Sequence, residues 1–201
     1  LIKLSNNFRF STKIYKNKNN IFIKGSGDPE FSFKNLDSLA KLISKNIDNI
    51  DTLIADITIL DSNKYGPGWM WDEGQGWHAA QISPLNLNSN CIDFFINPRE
   101  LGKPVKINFH PKTNYIKIIN NSMILSDSVN LKKFTINRDW KNRNNIFTIK
   151  GNKIKSSKID SIQRNIYNPE LFTLTVFTEI LNKYNVKVHH VSLGEVPDRA
   201  I

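Results

Sequence analysis

The spacing of apolar residues changes twice along this chain, and that change restricts the fold more than any other feature. Near the N-terminus Phe8-Arg9-Phe10-Ser11-Thr12-Lys13-Ile14-Tyr15 and Ile21-Phe22-Ile23-Lys24 alternate, the period of strands with one buried face. The polar stretch Asn17–Asn20 between them predicts a hairpin. Leu36, Leu39, Ala40, Leu42 and Ile43 follow at helical spacing, and Thr52–Leu60 is β-rich and mostly apolar, fit for a central strand. After a long interval Cys91–Asn97 returns to strand character. From Gly102 to Gly151 no helical period occurs. Val105–Phe109, Tyr115–Ile119, Phe134–Asn137 and Asn145–Lys150 are short strand-like runs parted by Pro, Asn, Ser and Lys, the pattern of a small all-β module.

The helical period then returns. Asn168 suits a cap, Pro169 the first helical position and Glu170 the positive end of the helix. Leu171, Leu174, Phe177, Leu181 and Tyr184 make an apolar stripe, and Val186–Ser192 follows as a strand. Helix-then-strand order on both sides of a β-only stretch predicts an insertion. The expected class is therefore α+β: an antiparallel-rich sheet-and-helix domain from residues 1–98 and 152–201, interrupted by a small all-β domain at 99–151. With 201 residues, 39% of them hydrophobic, the chain can bury one core or two small ones. No apolar run approaches the roughly 18 residues of a membrane span. The chain opens on Leu1 in mid-pattern with no signal sequence, which predicts a segment processed or excised from a longer protein.

Several chemistries fail on residue inventory. Cys91 is the only cysteine, so neither an intrachain disulfide nor a cysteine-rich zinc site can form. Its apolar alternating context predicts a buried, inert thiol. His189 and His190 are adjacent on a predicted strand and point to opposite faces; His78 and His110 are isolated, so no metal site is expected. Gly25-Ser26-Gly27 lacks the glycine spacing of nucleotide-binding loops, and no cofactor is expected. The net charge of +10 favours anionic surroundings such as acidic cell-wall polymers. The basic residues are scattered, without a block of five or six like charges, and an AT-rich coding sequence produces the same Lys and Asn excess.

Ser38-Leu39-Ala40-Lys41 matches S-x-x-K, in which a lysine one helical turn away takes the serine proton. Leu36, Leu39 and Leu42 define the expected buried side of that helix, and the pattern is common by chance. Triplets of the form S-x-N occur at Ser5–Asn7, Ser44–Asn46 and Ser128–Asn130, but K-[ST]-G is absent. A complete serine–lysine catalytic set is thus missing, and no residue is assigned a catalytic role.

The interval Asp61–Asn90 is dense in Gly, Pro, Asn and Trp, a long loop of the kind that is usually functional. Within it Tyr65–Trp77, YGPGWMWDEGQGW, holds three of the four tryptophans and two acids. Such a cluster either pins the loop to a core or lines a binding surface. A carboxylate framed by indoles can grip an ammonium group by ion pairing and cation–π attraction.

Tyr65–Pro98 resembles the middle of the class C, low-molecular-mass penicillin-binding proteins, the S13 family of D-alanyl-D-alanine carboxypeptidases and endopeptidases. That family shows G-x-G-W-x-W-D-D, an aromatic pair, an alanine, then I-S-x-L-x-x-N-x-N. This chain supplies Gly66, Gly68, Trp69, Trp71, Asp72, Trp77, Ala80, Ile82, Ser83, Leu85, Asn88 and Asn90. Phe8–Thr12 is similar to the family's F-R-F-x-T strand, Gly25–Pro29 to its G-x-G-D-P turn, and Pro169–Tyr184 to its late helix. The resemblance implies a catalytic domain split in sequence, with this chain lying between S-x-x-K upstream and S-x-N and K-T-G downstream. It implies that Trp69, Asp72 and Trp77 bind the free-amine end of a peptidoglycan stem peptide. The family often has Tyr at the position of Trp77, and Gly74-Gln75-Gly76 interrupts a second acid–aromatic register. The implied partners are the stem peptide and the catalytic domain of the same parent chain, in an extracytoplasmic setting (periplasm or cell wall). Two other readings remain: a stand-alone peptidoglycan-binding protein without enzyme activity, and a basic nucleic-acid-binding domain. The acids in the Trp-rich loop argue against the last, and no nucleic acid is expected.

Overall fold

A computed structural model describes residues 8–201, without the side chain of Trp71. The Ser5–Asn7 triplet lies outside the described residues. The chain divides into two compact units: Leu1–Lys64 with Ile82–Asn88 and Pro169–Ile201, and Tyr65–Gln81 with Ser89–Asn168.

The first unit is the sheet-and-helix part. Strands β1 (Lys13–Asn17) and β2 (Asn20–Lys24) form the expected hairpin, antiparallel from Lys13↔Lys24 to Asn17↔Asn20. Phe8–Ser11, expected in its first strand, lies before it in irregular backbone. Helix α1 (Phe33–Ile43) begins with a capping box: Ser32 accepts from the Asn35 backbone N–H, and the Asn35 side chain accepts from the Ser32 N–H. It buries Leu36, Ala40 and Ile43, a 4-then-3 spacing, and leaves Leu42 60% exposed.

Strand β3 (Asn49–Asp56) follows. Further along the chain, helix α2 (Pro169–Lys183) is buried on most sides through Phe172, Leu174, Val176, Phe177, Ile180 and Leu181. Its Glu170 is also buried and pairs with Lys64. The α2 face therefore exceeds the single stripe expected from its sequence, as suits a helix packed against both α1 and the sheet. The last strand of the chain, Lys187–Leu193, pairs parallel with β3, completing a sheet in which β2 and β3 are also parallel. The α+β class is as expected. Within this unit, however, the sheet is mixed and mainly parallel, because α1 carries the chain across from β2 to β3.

The second unit is all-β. Strand β4 (Cys91–Asn97) lies between β5 (Lys106–His110) and β9 (Asp160–Asn165), antiparallel to both. A second sheet holds β6 (Lys117–Leu125), β8 (Ile146–Ile154) and β7 (Thr135–Arg138), with β6 parallel and β7 antiparallel to β8. The terminal strand Lys187–Leu193 is accordingly β10. Phe94 of β4 and Phe147 of β8 join the two sheets, with ring centroids 4.9 Å apart and both side chains fully buried. A buried Phe contributes roughly 1.5–3 kcal/mol. Gly151 in β8 has φ +88°, and a Cβ there would lie 2.1 Å from the Lys133 carbonyl oxygen, so only glycine admits the adjoining segment.

This unit is larger than the 99–151 module expected from the sequence. It takes in β4, β9 and the Trp-rich loop, so its edges do not coincide with positions 98/99 and 151/152. Strand β9, DSIQRN, was not expected at all. It has one apolar residue, Ile162, and is a strand because β4 offers a hydrogen-bonding edge from Cys91↔Asn165 to Ile96↔Asp160.

Candidate functional site

The Trp-rich loop carries two short 3-10 turns, Trp71–Glu73 and Trp77–Ala79. What fixes it is a polar cluster at the ends of β7 and β9. Asn165, almost fully buried, points its amide nitrogen at three loop carbonyls: Gly74 at 3.0 Å, Gly76 at 2.8 Å and Ala79 at 2.9 Å. Its backbone N–H also donates to the Gln75 carbonyl at 3.2 Å. Gln75 returns the bonding: its amide nitrogen donates to Asn137 at 2.9 Å, and its side-chain oxygen accepts from the Arg138 N–H. The interrupting Gly74-Gln75-Gly76 is thus the anchor of the loop. Gly74 has φ +49°, and a Cβ would lie 2.6 Å from the Trp140 ring.

Arg138 completes the cluster. It is only 7% exposed. Its guanidinium donates to the Asn144 carbonyl at 3.1 Å, the Asn165 side-chain oxygen at 2.9 Å and, more distantly, the Gly74 carbonyl at 3.4 Å. Every one of these acceptors is neutral, and Nε has no hydrogen-bond partner. Burial pushes the guanidinium below its usual pKa. The adjoining Asp139 is committed to its own turn: Asn142 and Asn144 donate to its carboxylate at 2.8–3.0 Å and hold its pKa down.

A pocket of about 400 Å³ opens in this unit. Tyr65, Trp69 and Met70 from the loop line it together with Arg138, Trp140, Lys141, Arg143 and Tyr167. Tyr65 and Trp69 meet edge to face at 6.1 Å. Of the three residues expected to bind substrate, Trp69 lies in this pocket and is 38% exposed. Asp72 and Trp77 are not among its described lining residues. Asp72 is exposed and makes no ion pair among the described residues, while Trp77 is 63% exposed and stacks edge-on against His78 at 5.8 Å. Asp72 and Trp77 are therefore presented at the surface of the same loop that sends Trp69 into the pocket.

Sequence reasoning missed Arg138, Trp140 and Tyr167. Trp140, the fourth tryptophan, sits where a strand-like run ends in Asn-Arg-Asp-Trp. A basic-aromatic cluster at 138–143 was a readable signal there.

The other sequence candidates resolve simply. Ser38 is exposed, and its hydroxyl donates to the Lys34 carbonyl at 2.9 Å, a bond internal to α1. His189 lies 2.8 Å from the Asn49 side-chain oxygen on the neighbouring strand. No group of three metal-ligating residues occurs among the described residues. Cys91 is buried, and burial, helped by Asp93, pushes its thiol up to about 12, so the bond-forming thiolate is suppressed.

Comparison with known proteins points one way. The sequence profile of the D-Ala-D-Ala carboxypeptidase 3 (S13) family matches residues 1–200. The penicillin-sensitive carboxypeptidase A of Dictyostelium discoideum is 27% identical over 187 residues, which cover 87% of this chain and 35% of that protein. Penicillin binding protein 4 of Haemophilus influenzae has a similar fold, with TM-score 0.70 at 19% identity over 96% of this chain and 44% of that one. The same protein complexed with a β-lactam gives TM-score 0.61 at 18% identity, over 96% and 43% of the respective chains. This chain spans between a third and a half of the length of these relatives.

Proposed function

The chain belongs to the D-Ala-D-Ala carboxypeptidase 3 (S13) family, and from that premise we propose that it is the non-catalytic inserted region of a serine-type D-Ala-D-Ala carboxypeptidase or endopeptidase acting on peptidoglycan stem peptides. The observation that carries this reading is the combination of a family match along the whole chain with the lack of a serine–lysine set within it. The one S-x-x-K match is Ser38–Lys41, whose serine hydroxyl is spent on the helix backbone, and K-[ST]-G is absent. A nucleophile needs a base within hydrogen-bond reach and an oxyanion site beside it. The catalytic domain of the same parent chain would supply both.

In this reading the Trp-rich loop is one wall of the substrate cleft. Trp69 and Trp77 flank the aliphatic part of a stem-peptide side chain, and Asp72 pairs with its terminal ammonium. The exposure of Asp72 and Trp77 supports this role, since both side chains are open to a ligand. Units 1 and 2 would correspond to the two inserted domains of the family. The setting would be extracytoplasmic; among the described residues no helix is long and apolar enough to cross a membrane.

Incubation of the 201-residue chain with fluorescent penicillin tests the proposal. No covalent label is expected at any concentration that saturates an intact penicillin-binding protein. A label mapped to Ser38, or to any other serine of this chain, would overturn it.

A further inference from the structure

The pocket beside Trp69 has a chemistry that the loop sequence does not announce. Its charged lining residues are Arg138, Lys141 and Arg143, and no carboxylate lines it among the described residues. The nearest candidate counter-ion, Asp139, is held by Asn142 and Asn144. Arg138 is the unusual member. A guanidinium taken out of water is costly unless an anion faces it, yet this one is buried with only neutral acceptors and takes part in no ion pair among the described residues. Those bonds occupy its two terminal nitrogens and account for its hold on the loop. They leave Nε unpartnered, and the charge attracts Asp139 without forming an ion pair with it. A loop anchor alone needs donors, which an amide would supply without the cost of burying charge.

The other walls are flat. Tyr65, Trp69, Trp140 and Tyr167 surround a volume of about 400 Å³, within the roughly 300–1,000 Å³ of small-ligand sites. We propose that this pocket binds a small ligand whose carboxylate or phosphate group faces Arg138, Lys141 and Arg143 while a ring or short apolar body lies between the aromatic side chains. The site stands on unit 2 alone and does not depend on the family reading. It is also the opposite in charge preference to the ammonium site assigned to Asp72. Carboxylate and phosphate share the required chemistry and come from different sources: a peptide end or acidic side chain in the first case, a phosphorylated small molecule in the second.

All four tryptophans fall in unit 2, so tryptophan fluorescence together with titration calorimetry reads the site directly. The probes are benzoate, phenyl phosphate, inorganic phosphate and benzylamine, added to the full chain. Saturable binding of benzoate or phenyl phosphate is expected, with the tighter of the two identifying the source chemistry. Inorganic phosphate, which lacks a body, should bind more weakly, and benzylamine should not compete. Lys141→Gln with Arg143→Gln changes two exposed side chains, so the fold should survive, as far-UV circular dichroism will report. Two partly screened charge contacts correspond to roughly a tenfold loss of anion affinity. Arg138→Gln, which retains donors for the loop, should abolish saturation. Benzylamine binding as tightly as benzoate would overturn the proposal. So would the absence of saturation by either aromatic anion, inorganic phosphate binding as well as phenyl phosphate, or anion affinity unchanged in the double variant.

Discussion

Replacing Asn165 by leucine removes the polar anchor of the Trp-rich loop with little change in side-chain volume. Asn165 is buried to 1% exposure, directs its amide nitrogen at the carbonyls of Gly74, Gly76 and Ala79, and accepts from Arg138 at 2.9 Å. Two amide hydrogens serve three acceptors, so the three short contacts amount to about two full bonds. A net hydrogen bond is worth about 1 kcal/mol, and one to a charged group about 1.5–3 kcal/mol. The four contacts together give about 3.5–5 kcal/mol. Water reaching the Gly76 side of an exposed loop would return part of that, so a loss of about 3–5 kcal/mol is expected. The tryptophans lie only in unit 2 and the two α-helices only in unit 1. Urea unfolding followed by tryptophan fluorescence therefore reports the second unit, while ellipticity at the helix band reports mainly the first. At a slope of about 2 kcal/mol per molar urea, the fluorescence midpoint should fall by about 1.5–2.5 M. Asn137→Ala is the control: its side chain is exposed and, among the described residues, bonded only to Gln75, so its loss should cost no more than about 1 kcal/mol. A loss below about 1 kcal/mol for Asn165→Leu, or one no larger than that of the control, would refute the claim that this side chain holds the loop.

Two further outcomes follow from buried ionisable groups. Asp56 is fully buried, and although burial alone would raise its pKa, hydrogen bonds from the Val196 N–H, Lys24 and Thr58 outweigh that and hold the carboxyl well below the usual range. The unfolded chain takes up its proton near pH 3.9 and the folded chain does not. The stabilisation is therefore complete above that pH and is lost as pH falls toward the folded value. Asp56→Asn should cost about 2 kcal/mol at pH 7, with the gap from the parent narrowing below about pH 4; a gap that widens on acidification, measured by helix ellipticity in urea, would contradict this. Cys91, its thiol pushed up to about 12 by burial, should resist iodoacetamide at pH 8 in the folded chain and react at the ordinary thiol rate in 8 M urea, as mass spectrometry of the adduct will show; rapid native labelling would disprove the burial.

The elements legible in the sequence were those whose stabilising contacts are local or periodic. Helix α1 carries its own cap at Ser32 and its buried positions at helical spacing, and β4 alternates, with Ile92, Phe94 and Ile96 buried on the face where Phe94 meets a second sheet. Strand β9 has neither signal. Its strand state is conferred by β4, more than sixty residues earlier, and no window centred on Asp-Ser-Ile-Gln-Arg-Asn contains that information. The same limit explains the allocation of the Trp-rich loop. Sequence adjacency to β3 suggested the sheet-and-helix part, but the bonds that place the loop run from Gln75 to Asn137 and Arg138 and from Gly74, Gly76 and Ala79 to Asn165. These span sixty to ninety positions.

A consequence for recognition follows from that anchoring. Gln75 and Asn165 hold the middle of the loop between Trp69 and Trp77, and Asp72 lies in the same stretch of sequence. The loop therefore offers a carboxylate on its exposed face and contributes an indole to a pocket whose charges are all positive. A ligand bearing both an ammonium and an acidic group would meet complementary charge at both. A ligand with the ammonium alone would gain nothing from Arg138. If both proposed roles hold, charge at the two positions would discriminate by repulsion as well as attraction. In the pair Asp72→Asn and Lys141→Gln/Arg143→Gln, the first should relax preference for amines and the second preference for acids, each leaving the other intact. Loss of both preferences from either change alone would mean that the two positions act as a single site.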